Sequence, residues 1–517
     1  MLPVYLDPER SLGRTAQIVL GVRDLILQGV LRPGEAVPST RELANQLGVA
    51  RGTVVSAYDQ LTAESYLIAR PGAPTRVHPQ AAAIQTSVSG YGPVAKLGNH
   101  LGAPGPRRDS HGRGVFGPGS KGSRVRPDAR GTAQPDAAAG LRRDRVRIDL
   151  RPQHRRQFTL DDPMWRAAWR RAATQVGNAV ATPGNVTDSY AGNGGLRAAI
   201  SEHLRLTRSM LVDPNRILVT AGAREGLDLV LTALRRGAEN PTEGSIEPMA
   251  VEYPGYRGLQ KLLARRNIDV ALTPADRLGM QPEHLENDVK SILVTPNHLY
   301  PWGGSMPAPR RLELLQRAHT LGAVVIEDDY DSEFRHLDAP IPSLWELAPQ
   351  QVIHLGTFHQ VLTPEAHIGY LIAPAHLEDQ LQSARADVGG GASPITQRAV
   401  ADYLLSGGLR RHLARRRREL LRRRRQVQDA LSGLSVATVS GSSAVLTFGS
   451  QEQAGQFAGD CANVGIAVSL VADYWQAPHG TQAVAGCLIS YADVSAEQLR
   501  WALDFMVNWA AKAKLTS

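Results

Sequence analysis

The chain has 517 residues, of which 42% are apolar and 21% are charged. These proportions are close to those of an average soluble globular protein, and they exclude a collagen, a coiled coil or disorder over the whole length. At roughly 150 residues per domain, the length predicts about three domains or lobes. The sequence has no apolar run of about 18 residues and does not begin with a basic stretch followed by an apolar core, so we expect neither a membrane span nor a secretory signal.

Cysteine and lysine are both scarce. Cys461 and Cys487 are the only cysteines. Two cysteines are too few for disulfide bonds to stabilise a protein of this size, and they lack the spacing of metal ligands. We therefore expect a protein of the reducing cytoplasm with no metal site. The formal net charge of +9 results from 58 basic and 49 acidic residues. Only six of the basic residues are lysines, at positions 96, 121, 261, 290, 512 and 514, which limits where an amine can stand.

Residues 1–78 have the pattern of a small helical domain that ends in a two-stranded wing. Apolar residues at helical spacing predict a first helix over residues 15–29. A second helix can be capped by Ser39 or Thr40, and a third helix follows the turn at Gly48. The letters YLIARPGAPTRV then alternate as two short strands around a Pro/Gly turn.

The string PSTRELANQLGVARGTVVSAYDQLTAESYLIARPGAPTRV resembles the winged helix-turn-helix of GntR-type bacterial regulators. The resemblance implies that the partner is a double-stranded DNA operator. The predicted third helix would insert its N-terminal end into a major groove, where Arg51 and Thr53 would face base edges or phosphates. At the start of the second helix, Ser39, Thr40 and Arg41 would contact the DNA backbone.

The wing departs from the family pattern. Members of the family usually have glycine where Ser65 and Pro74 stand, and proline fixes φ and removes an N–H. We therefore base the predicted DNA contact on the third helix rather than on the wing, and a winged helix that contacts protein is the alternative. Residues 1–78 contain eight Arg and seven Asp or Glu, a net charge of only +1, so affinity would also depend on the linker and on dimerisation.

Residues 79–146 are rich in Gly, Pro, Ser and Arg and have almost no periodic apolar pattern. Such a segment cannot bury enough apolar surface to fold alone, so we predict a flexible basic linker. Residues 79–150 contain twelve Lys or Arg and five Asp, a net charge of +7. The segment is therefore either a solvated tether or a tether that also touches DNA phosphates.

Residues 147–517 alternate between short apolar runs and helical stretches. The runs ILVTAG, PMAVEYPG, SILVTPN, AVVIEDDY and QVIHLGTF are typical of buried strands, and the alternation predicts a largely parallel sheet covered by helices. From about residue 425 to 517 the strands are shorter and a terminal helix follows, which indicates a smaller α+β lobe.

Four motifs of this region, VTAGAREGLDL, EYPGYRG, TPNHLYPWGGSMP and EDDYDSEFR, resemble those of fold-type I aminotransferases. With the N-terminal domain, they make the chain similar to the MocR/GabR branch of the GntR regulators. The resemblance implies a multidomain fold, with a mostly α winged helix-turn-helix and an α/β aminotransferase-like domain that has a smaller α+β lobe. It also implies a homodimer and a pyridoxal phosphate pocket that senses a small-molecule effector.

The resemblance further implies which residues surround the cofactor. In the first motif the amides of Gly222, Ala223 and Arg224 match the turn that holds the phosphate, a general use of a helix N-terminus. In the second motif Tyr256 matches the aromatic residue that stacks on the pyridine ring. For each motif taken alone, a purely structural role is the alternative.

The third and fourth motifs correspond to the polar side of the cofactor ring. Asn297 and His298 fall near the ring oxygen, Asp328 matches the carboxylate that pairs with the pyridine nitrogen, and Tyr330 matches a phenol near the ring oxygen. An Asp at that nitrogen keeps the ring protonated, so that the ring withdraws electrons from the reacting bonds.

The family pattern is broken at HLGTFHQVLTPEAHIGYLIAP, where members of the family read roughly G-T-F-S-K-T-L-x-P-x-x-R-x-G-Y. Gln360 stands at the position of the lysine that attaches the cofactor, His359 at that of the serine and His367 at that of the phosphate-side arginine. Attachment requires an amine that can lose its proton and attack an aldehyde, which a glutamine amide cannot do. Leu488 stands where amino-acid-binding members carry an arginine. The pattern predicts at most noncovalent cofactor and no transamination.

We therefore favour a sequence-specific DNA-binding transcriptional regulator, whose aminotransferase-like domain dimerises and senses a ligand without turnover. The alternative is a pyridoxal phosphate-dependent aminotransferase with an accessory DNA-binding domain, which requires a lysine where Gln360 stands. A third hypothesis is a body that only dimerises the DNA-binding domains. The basic run over residues 410–426 is interpreted as a solvated helix joining the two lobes, with auxiliary DNA contact as the alternative.

Overall fold

The structure, a computed structural model, covers most of the two predicted domains. It describes residues 2–7, 14–27, 29–63, 66–69, 74–78, 124–125, 147–152, 162–180, 190–208, 210–236, 248–300, 303–330, 333, 342–432, 436–440, 442–474 and 484–513. The predicted linker 79–146 lies outside the described residues except for 124–125, and so does Ser65. The domain boundaries proposed above therefore stay a prediction.

The first domain has three helices and a wing, as predicted. The helices are α1 (Arg14–Leu27), α2 (Thr40–Leu47) and α3 (Arg51–Ala63), and the strands β1 (Leu67–Ile68) and β2 (Arg76–Val77) pair in antiparallel orientation. Helix α3 turns Val54, Ala57, Tyr58 and Leu61 into the core, whereas Val55 is only half-buried.

Local signals fix where α2 begins and ends. The Ser39 hydroxyl accepts a hydrogen bond from the backbone N–H of Glu42, and the Glu42 carboxylate accepts one from the backbone N–H of Ser39. This reciprocal pair satisfies two backbone donors that a helix N-terminus otherwise leaves open. Gly48 ends the helix with φ +63, a conformation that favours glycine. Helix α3 starts three residues later, which gives the short turn of a helix-turn-helix.

The second domain contains the remaining elements. Its helices are α4 (Pro163–Val180), α5 (Gly194–Arg208), α6 (Ala223–Arg236), α7 (Arg257–Arg265), α8 (Ala308–Leu321), α9 (Leu344–Leu347), α10 (Glu378–Val388), α11 (Pro394–Leu405), α12 (Gly408–Ala430), α13 (Gln451–Asn463) and α14 (Ala496–Lys512). Its strands are β3 (Arg124–Val125), β4 (Ile148–Asp149), β5 (Ile217–Thr220), β6 (Met249–Tyr253), β7 (Val270–Asp276), β8 (Gly279–Met280), β9 (Ser291–Val294), β10 (Val324–Asp329), β11 (Val352–Thr357), β12 (Gly369–Ile372), β13 (Val436–Ser440), β14 (Ser443–Thr447), β15 (Ile466–Ala467), β16 (Ser469–Leu470) and β17 (Gly486–Ser490).

The large sheet has the order β3-β7-β6-β9-β10-β11-β12-β5, with β8 paired to β7. The pairings from β7 through β6, β9 and β10 to β11 are parallel, and β12 runs antiparallel to both β11 and β5. The sheet is therefore mixed, with the predicted parallel centre. Separate apolar clusters cover its two faces, which explains why the central strands are apolar at nearly every position.

The smaller lobe is an antiparallel sheet of order β13-β14-β17-β16 packed with α13 and α14, and α12 leads into it. Strand β4 pairs with β15, so residues 148–149 belong with this lobe although they precede the large sheet in the chain. On the other side of the domain, Ala308 of α8 is buried in the apolar cluster of the first domain, and Leu312 packs against that cluster.

Three further properties limit the possible chemistry. Cys461 and Cys487 are both buried, free thiols. Within the described residues no cluster of three or more His, Cys, Asp or Glu is arranged to hold a metal ion. No helix in the described part of the chain combines the length and the apolar character that crossing a membrane requires.

Candidate functional site

The predicted pocket residues converge on one edge of the large sheet. Strands β6, β9, β10 and β11 are parallel, so their carboxyl ends meet at the same edge, where ligands bind in open α/β sheets. Thr357 at the end of β11 pairs with Gly369, which in turn pairs with Thr220 at the end of β5. The turn at Gly222 and the loop before β12 therefore lie at this edge as well.

Asp328 is the central ionisable group of this edge. It lies near the end of β10 with only 2% of its surface exposed. Among the residues that the structure describes, its Oδ1 has no hydrogen-bond partner. Burial, and then the nearby carboxylates of Asp329 and Glu252, raise the pKa of Asp328 to about 7. A carboxyl in this state is well suited to a ligand that brings a positively charged N–H.

A second buried carboxyl, Glu252 on β6, adds to this acidic environment and was not found from the sequence. Its Oε2 accepts hydrogen bonds from the backbone N–H of Thr295 at 3.0 Å and from the Thr295 hydroxyl at 2.6 Å. Burial nevertheless raises the pKa of Glu252 to about 7. Two buried carboxyls that are costly to ionise at the same edge of the sheet mark this edge as a candidate functional site.

Aromatic rings form one wall of the site. The rings of Tyr256 and Tyr330 are nearly parallel with centroids 6.5 Å apart, and His298 stacks on Tyr330 at 5.5 Å. The Tyr330 hydroxyl donates a hydrogen bond to the carbonyl oxygen of His298 at 3.0 Å. Tyr300 packs edge-on against Tyr256 at 5.6 Å and against Tyr474 of the smaller lobe at 5.2 Å. The wall therefore continues from the large sheet to the smaller lobe.

Asn297 lies in a buried network behind this wall. Its Nδ2 donates to Glu327 Oε1 at 3.2 Å, and its Oδ1 accepts from Arg311 Nη2 at 2.9 Å. Arg311 of α8 is fully buried and also donates to the carbonyl oxygens of Met306 and Pro342. The amide of Asn297 is thus held by protein groups, and its contact with a cofactor ring oxygen stays a prediction.

A second buried group of charges lies next to this network. Arg208 of α5 forms an ion pair with Asp329 and lies 3.6 Å from Glu333. Burial alone would lower the pKa of Arg208, but the two carboxylates outweigh it and raise that pKa. His354 Nδ1 lies 2.9 Å from Glu327 Oε2. These pairs join α5, β10 and β11 beneath the pocket and hold the end of β10 in place.

The N-terminus of α6 is open toward solvent at the same edge. Gly222 has φ +99, and a β-carbon built there meets no atom within 4 Å. Arg224 is exposed in the first turn of α6. Glu225 accepts a hydrogen bond from the backbone N–H of Ala221 and pairs with Arg385 at 2.7 Å, which compensates its charge. A helix N-terminus with an exposed arginine in its first turn suits an anion. His367, also exposed, has φ +41.

The loop after β11 carries the remaining predicted residues. His359 is exposed and its backbone N–H donates to the Thr357 hydroxyl at 3.2 Å, while Gln360 is half-buried. Leu488 lies on β17 in an apolar cluster with Val445, Val471 and Tyr474, against which Tyr300 packs. The three lysines that the structure describes, Lys261, Lys290 and Lys512, are all exposed.

The predicted DNA-contacting residues form one surface of the first domain. Arg51 at the start of α3 is exposed, and its Nε lies 3.5 Å from the Thr40 hydroxyl at the start of α2. Ser39 and Arg41 are exposed beside them, and Thr53 is half-buried one turn into α3. The N-termini of α2 and α3 therefore present these side chains together, the arrangement that helix-turn-helix proteins use at a major groove.

Comparison with known proteins defines the class of this molecule. Residues 14–77 match the gntR family of bacterial regulatory proteins, and residues 163–504 match aminotransferases of class I and II. The fold agrees with this: a Thermus thermophilus aspartate aminotransferase single mutant superposes with a TM-score of 0.60 at 20% identity, over 75% of this chain and 100% of that one. The chain therefore joins a GntR-type helix-turn-helix domain to a fold-type I aminotransferase-like domain.

Relatives with the same two-domain layout define the family. The chain is 35% identical over 510 residues to the HTH-type pyridoxine biosynthesis transcriptional regulator PdxR of Corynebacterium glutamicum, covering 97% of both chains. It is 31% identical over 419 residues to the probable rhizopine catabolism regulatory protein MocR of Rhizobium meliloti, covering 80% of this chain and 76% of that protein. The chain belongs to this family of HTH-type transcriptional regulators, which confirms the resemblance stated from the sequence.

Proposed function

We propose that this protein is a cytoplasmic, homodimeric regulator whose aminotransferase-like domain binds pyridoxal phosphate, or a small effector of similar chemistry, without covalent attachment and without transamination. The observation that carries the proposal is Gln360, which stands in the loop after β11 where the flanking motif predicts an attaching lysine. An amide nitrogen is neither basic nor nucleophilic, so it cannot replace an amine.

The noncovalent part of the site fits pyridoxal phosphate. Asp328 Oδ1 is a buried acceptor that the described residues leave open, and a protonated pyridine nitrogen would satisfy it. Tyr256 would stack on the ring, and His298 and Tyr330 would line its polar edge. The amides of Gly222 and Ala223, with Arg224, would hold the phosphate at the N-terminus of α6. The cofactor itself supplies an aldehyde and an electron-withdrawing ring.

The reactive end of the site does not fit the enzyme alternative. Transamination needs an amine that attaches the cofactor and then moves a proton, and the three lysines that the structure describes are exposed and lie outside the loop after β11. His367 replaces the predicted phosphate-side arginine, and Leu488 offers no charge to a substrate carboxylate. These residues support binding without turnover. The retained Asp328 and Tyr330 favour a ligand-sensing domain over a purely dimerising body.

The proposal is tested by trapping the cofactor. Wild-type protein, Gln360→Lys and the control Gln382→Lys, which adds an amine at an exposed position of α10, are mixed with pyridoxal phosphate and reduced with borohydride. We expect Gln360→Lys alone to retain the cofactor on the peptide around residue 360 in mass spectrometry. Wild type should show saturable binding by equilibrium dialysis but no site-specific reduced product. A reduced product in the wild-type pocket, or steady amino-group exchange by wild type, contradicts the proposal.

A further inference from the structure

Helix α12 carries a row of exposed arginines that the ligand site does not use. Arg411, Arg415, Arg418, Arg422 and Arg425 are all exposed, and we call this set the arginine stripe. Their intervals of four and three residues place them on one helix face. At 1.5 Å per residue the stripe is about 21 Å long.

Three other arginines of α12, Arg416, Arg417 and Arg423, join the helix to the rest of the fold. Arg417 donates to the carbonyl oxygen of Glu333 at 3.0 and 2.9 Å. Arg416 pairs with Asp493 at 3.2 Å, and Arg423 donates to the carbonyl oxygens of Tyr491 and Ala492. The helix therefore has an inner set of arginines that joins the lobes and an outer set that faces solvent.

The positive charge of the stripe is only weakly compensated by protein groups. Within the described residues, Arg415 pairs with Asp162 at 3.1 Å, whereas Arg411 and Arg418 donate only to uncharged groups, among them the carbonyl oxygens of Ser406 and Ala414. Arg422 and Arg425 have neither a hydrogen bond nor an ion pair within the described part of the chain. They line a shallow groove that is also lined by Arg500, Asp429 and Asp504.

We propose that the arginine stripe binds the phosphate backbone of DNA that flanks the operator. Duplex DNA carries one negative charge per about 1.7 Å of its axis, so 21 Å of stripe faces about six base pairs of backbone. The guanidinium group suits phosphate because its N–H groups match two phosphate oxygens at once. The inference rests on DNA binding by the first domain.

The charge distribution of the chain favours this partner. Helix α12 contains ten Arg with one Glu and one Asp, whereas residues 1–78 have a net charge of only +1. Binding to DNA depends largely on neutralised phosphates. A nearly neutral DNA-binding domain therefore gains affinity when the body of the protein contacts the same duplex, without any change in which bases are read.

The experiment compares two duplexes with the full-length protein. A binding sequence is selected from a random DNA pool by wild type, and is used as a short duplex trimmed to the footprint and as a long duplex extended by about 20 base pairs on each side, roughly three stripe lengths. Affinities are measured over a range of salt concentrations. The test variant is Arg418→Gln/Arg422→Gln, its conservative partner carries Lys at both positions, and the control Lys261→Gln/Arg265→Gln removes two exposed charges from α7.

We expect the test variant to bind the long duplex more weakly and to lower the log–log slope of affinity against salt by about 2, because each phosphate contact contributes about 0.9. The short duplex should be bound as by wild type, and the Lys variant and the control should keep the wild-type slope. An unchanged slope on the long duplex overturns the inference and points to another partner, such as an acidic protein. An equal loss of affinity for the short and the long duplex also overturns the inference. If wild type selects no sequence, the regulator proposal itself fails.

Discussion

Gly369, at the start of β12, lies so close to Gly222 in the turn before α6 that Gly369 has no room for a side chain. A β-carbon at Gly369 would lie 3.0 Å from Cα of Gly222, 2.8 Å from the carbonyl oxygen of Gly356 and 3.0 Å from the Thr220 hydroxyl. The contact seats the start of α6 on β12, so the turn proposed to hold a phosphate is positioned by the strand that follows His367.

Gly369→Ala should therefore damage both stability and anion binding. The added methyl group must push backbone atoms apart, at a cost of about 1–3 kcal/mol, as for overpacked cores. We expect a lower free energy of unfolding in denaturant and weaker pyridoxal phosphate binding by dialysis. Gly459→Ala is the matched control, because Gly459 lies in α13 with open space around it, and it should stabilise by about 0.5–1 kcal/mol. Wild-type affinity in Gly369→Ala would contradict the proposed phosphate turn.

The buried carboxyl of Asp328 makes stability depend on pH. Its pKa is raised to about 7 by burial and by Asp329 and Glu252, whereas an unfolded Asp titrates near 4. Between these values the folded chain holds a proton that the unfolded chain has released, so stability falls as the pH rises from about 4 to about 7 and stays low above. Asp328→Asn removes this loss. At pH 8 we expect the variant to melt at a higher temperature than wild type and to gain up to about 4 kcal/mol in free energy of unfolding. At pH 4 we expect little gain.

The neighbouring acid is the control for this prediction. Asp329→Asn removes one of the two carboxylates that compensate Arg208 and should destabilise the fold at pH 8, the opposite sign, by up to about 3–5 kcal/mol. Pyridoxal phosphate should raise the melting temperature of wild type at pH 8 but not that of Asp328→Asn, which cannot accept a charged N–H as a carboxylate. Equal stabilisation of both proteins would place the ligand elsewhere.

The strands that show a local pattern of apolar residues could be predicted from the sequence. Strands β5, β6, β9, β10 and β11 are buried on both faces, so each is a run of apolar residues that a sequence shows directly. Strand β12, Gly369–Ile372, was not separated from the broken lysine motif because its residues lie inside that motif. The pairing of β4 with β15 joins segments more than 300 residues apart, and no local signal announces it.

The same limit applies to the site. Tyr256, Asp328 and Gln360 could be proposed because each lies in a continuous motif. Arg208 pairs with a residue 121 positions away, and Arg311 is an ordinary arginine of an amphipathic helix until the fold buries it. The basic run of α12 was partly predictable. Its helical spacing was visible in the sequence, but the division into inner and outer arginines depends on which face of the helix packs against the protein.

Arg51 should contribute more to DNA recognition than its positive charge alone would provide. It is exposed at the N-terminus of α3, where a guanidinium can reach a guanine edge, a contact worth about 1–3 kcal/mol. Arg51→Ala should weaken specific binding about 5–150-fold in a gel shift. Arg51→Lys should recover nonspecific but not specific affinity, and Arg14→Ala, which removes an exposed arginine from the start of α1, should bind as wild type. Unchanged specific binding by Arg51→Ala would remove the groove assignment.

Ser39 has two separable roles, since its hydroxyl caps α2 and faces the position proposed for a DNA phosphate. Ser39→Ala loses the cap and should destabilise the first domain by about 1 kcal/mol. Ser39→Asp keeps a capping oxygen but adds a negative charge at the helix end, so it should melt like wild type in calorimetry and yet bind DNA more weakly.

Ser495 provides the matched control for this pair of variants. It forms the same reciprocal cap with Gln498 at the start of α14, far along the chain from the DNA-binding domain. Ser495→Ala should cost about 1 kcal/mol and leave DNA affinity unchanged. If Ser39→Asp bound DNA as tightly as wild type, no phosphate would lie at the N-terminus of α2, and the docking of α3 in the groove would need a different backbone contact to orient it.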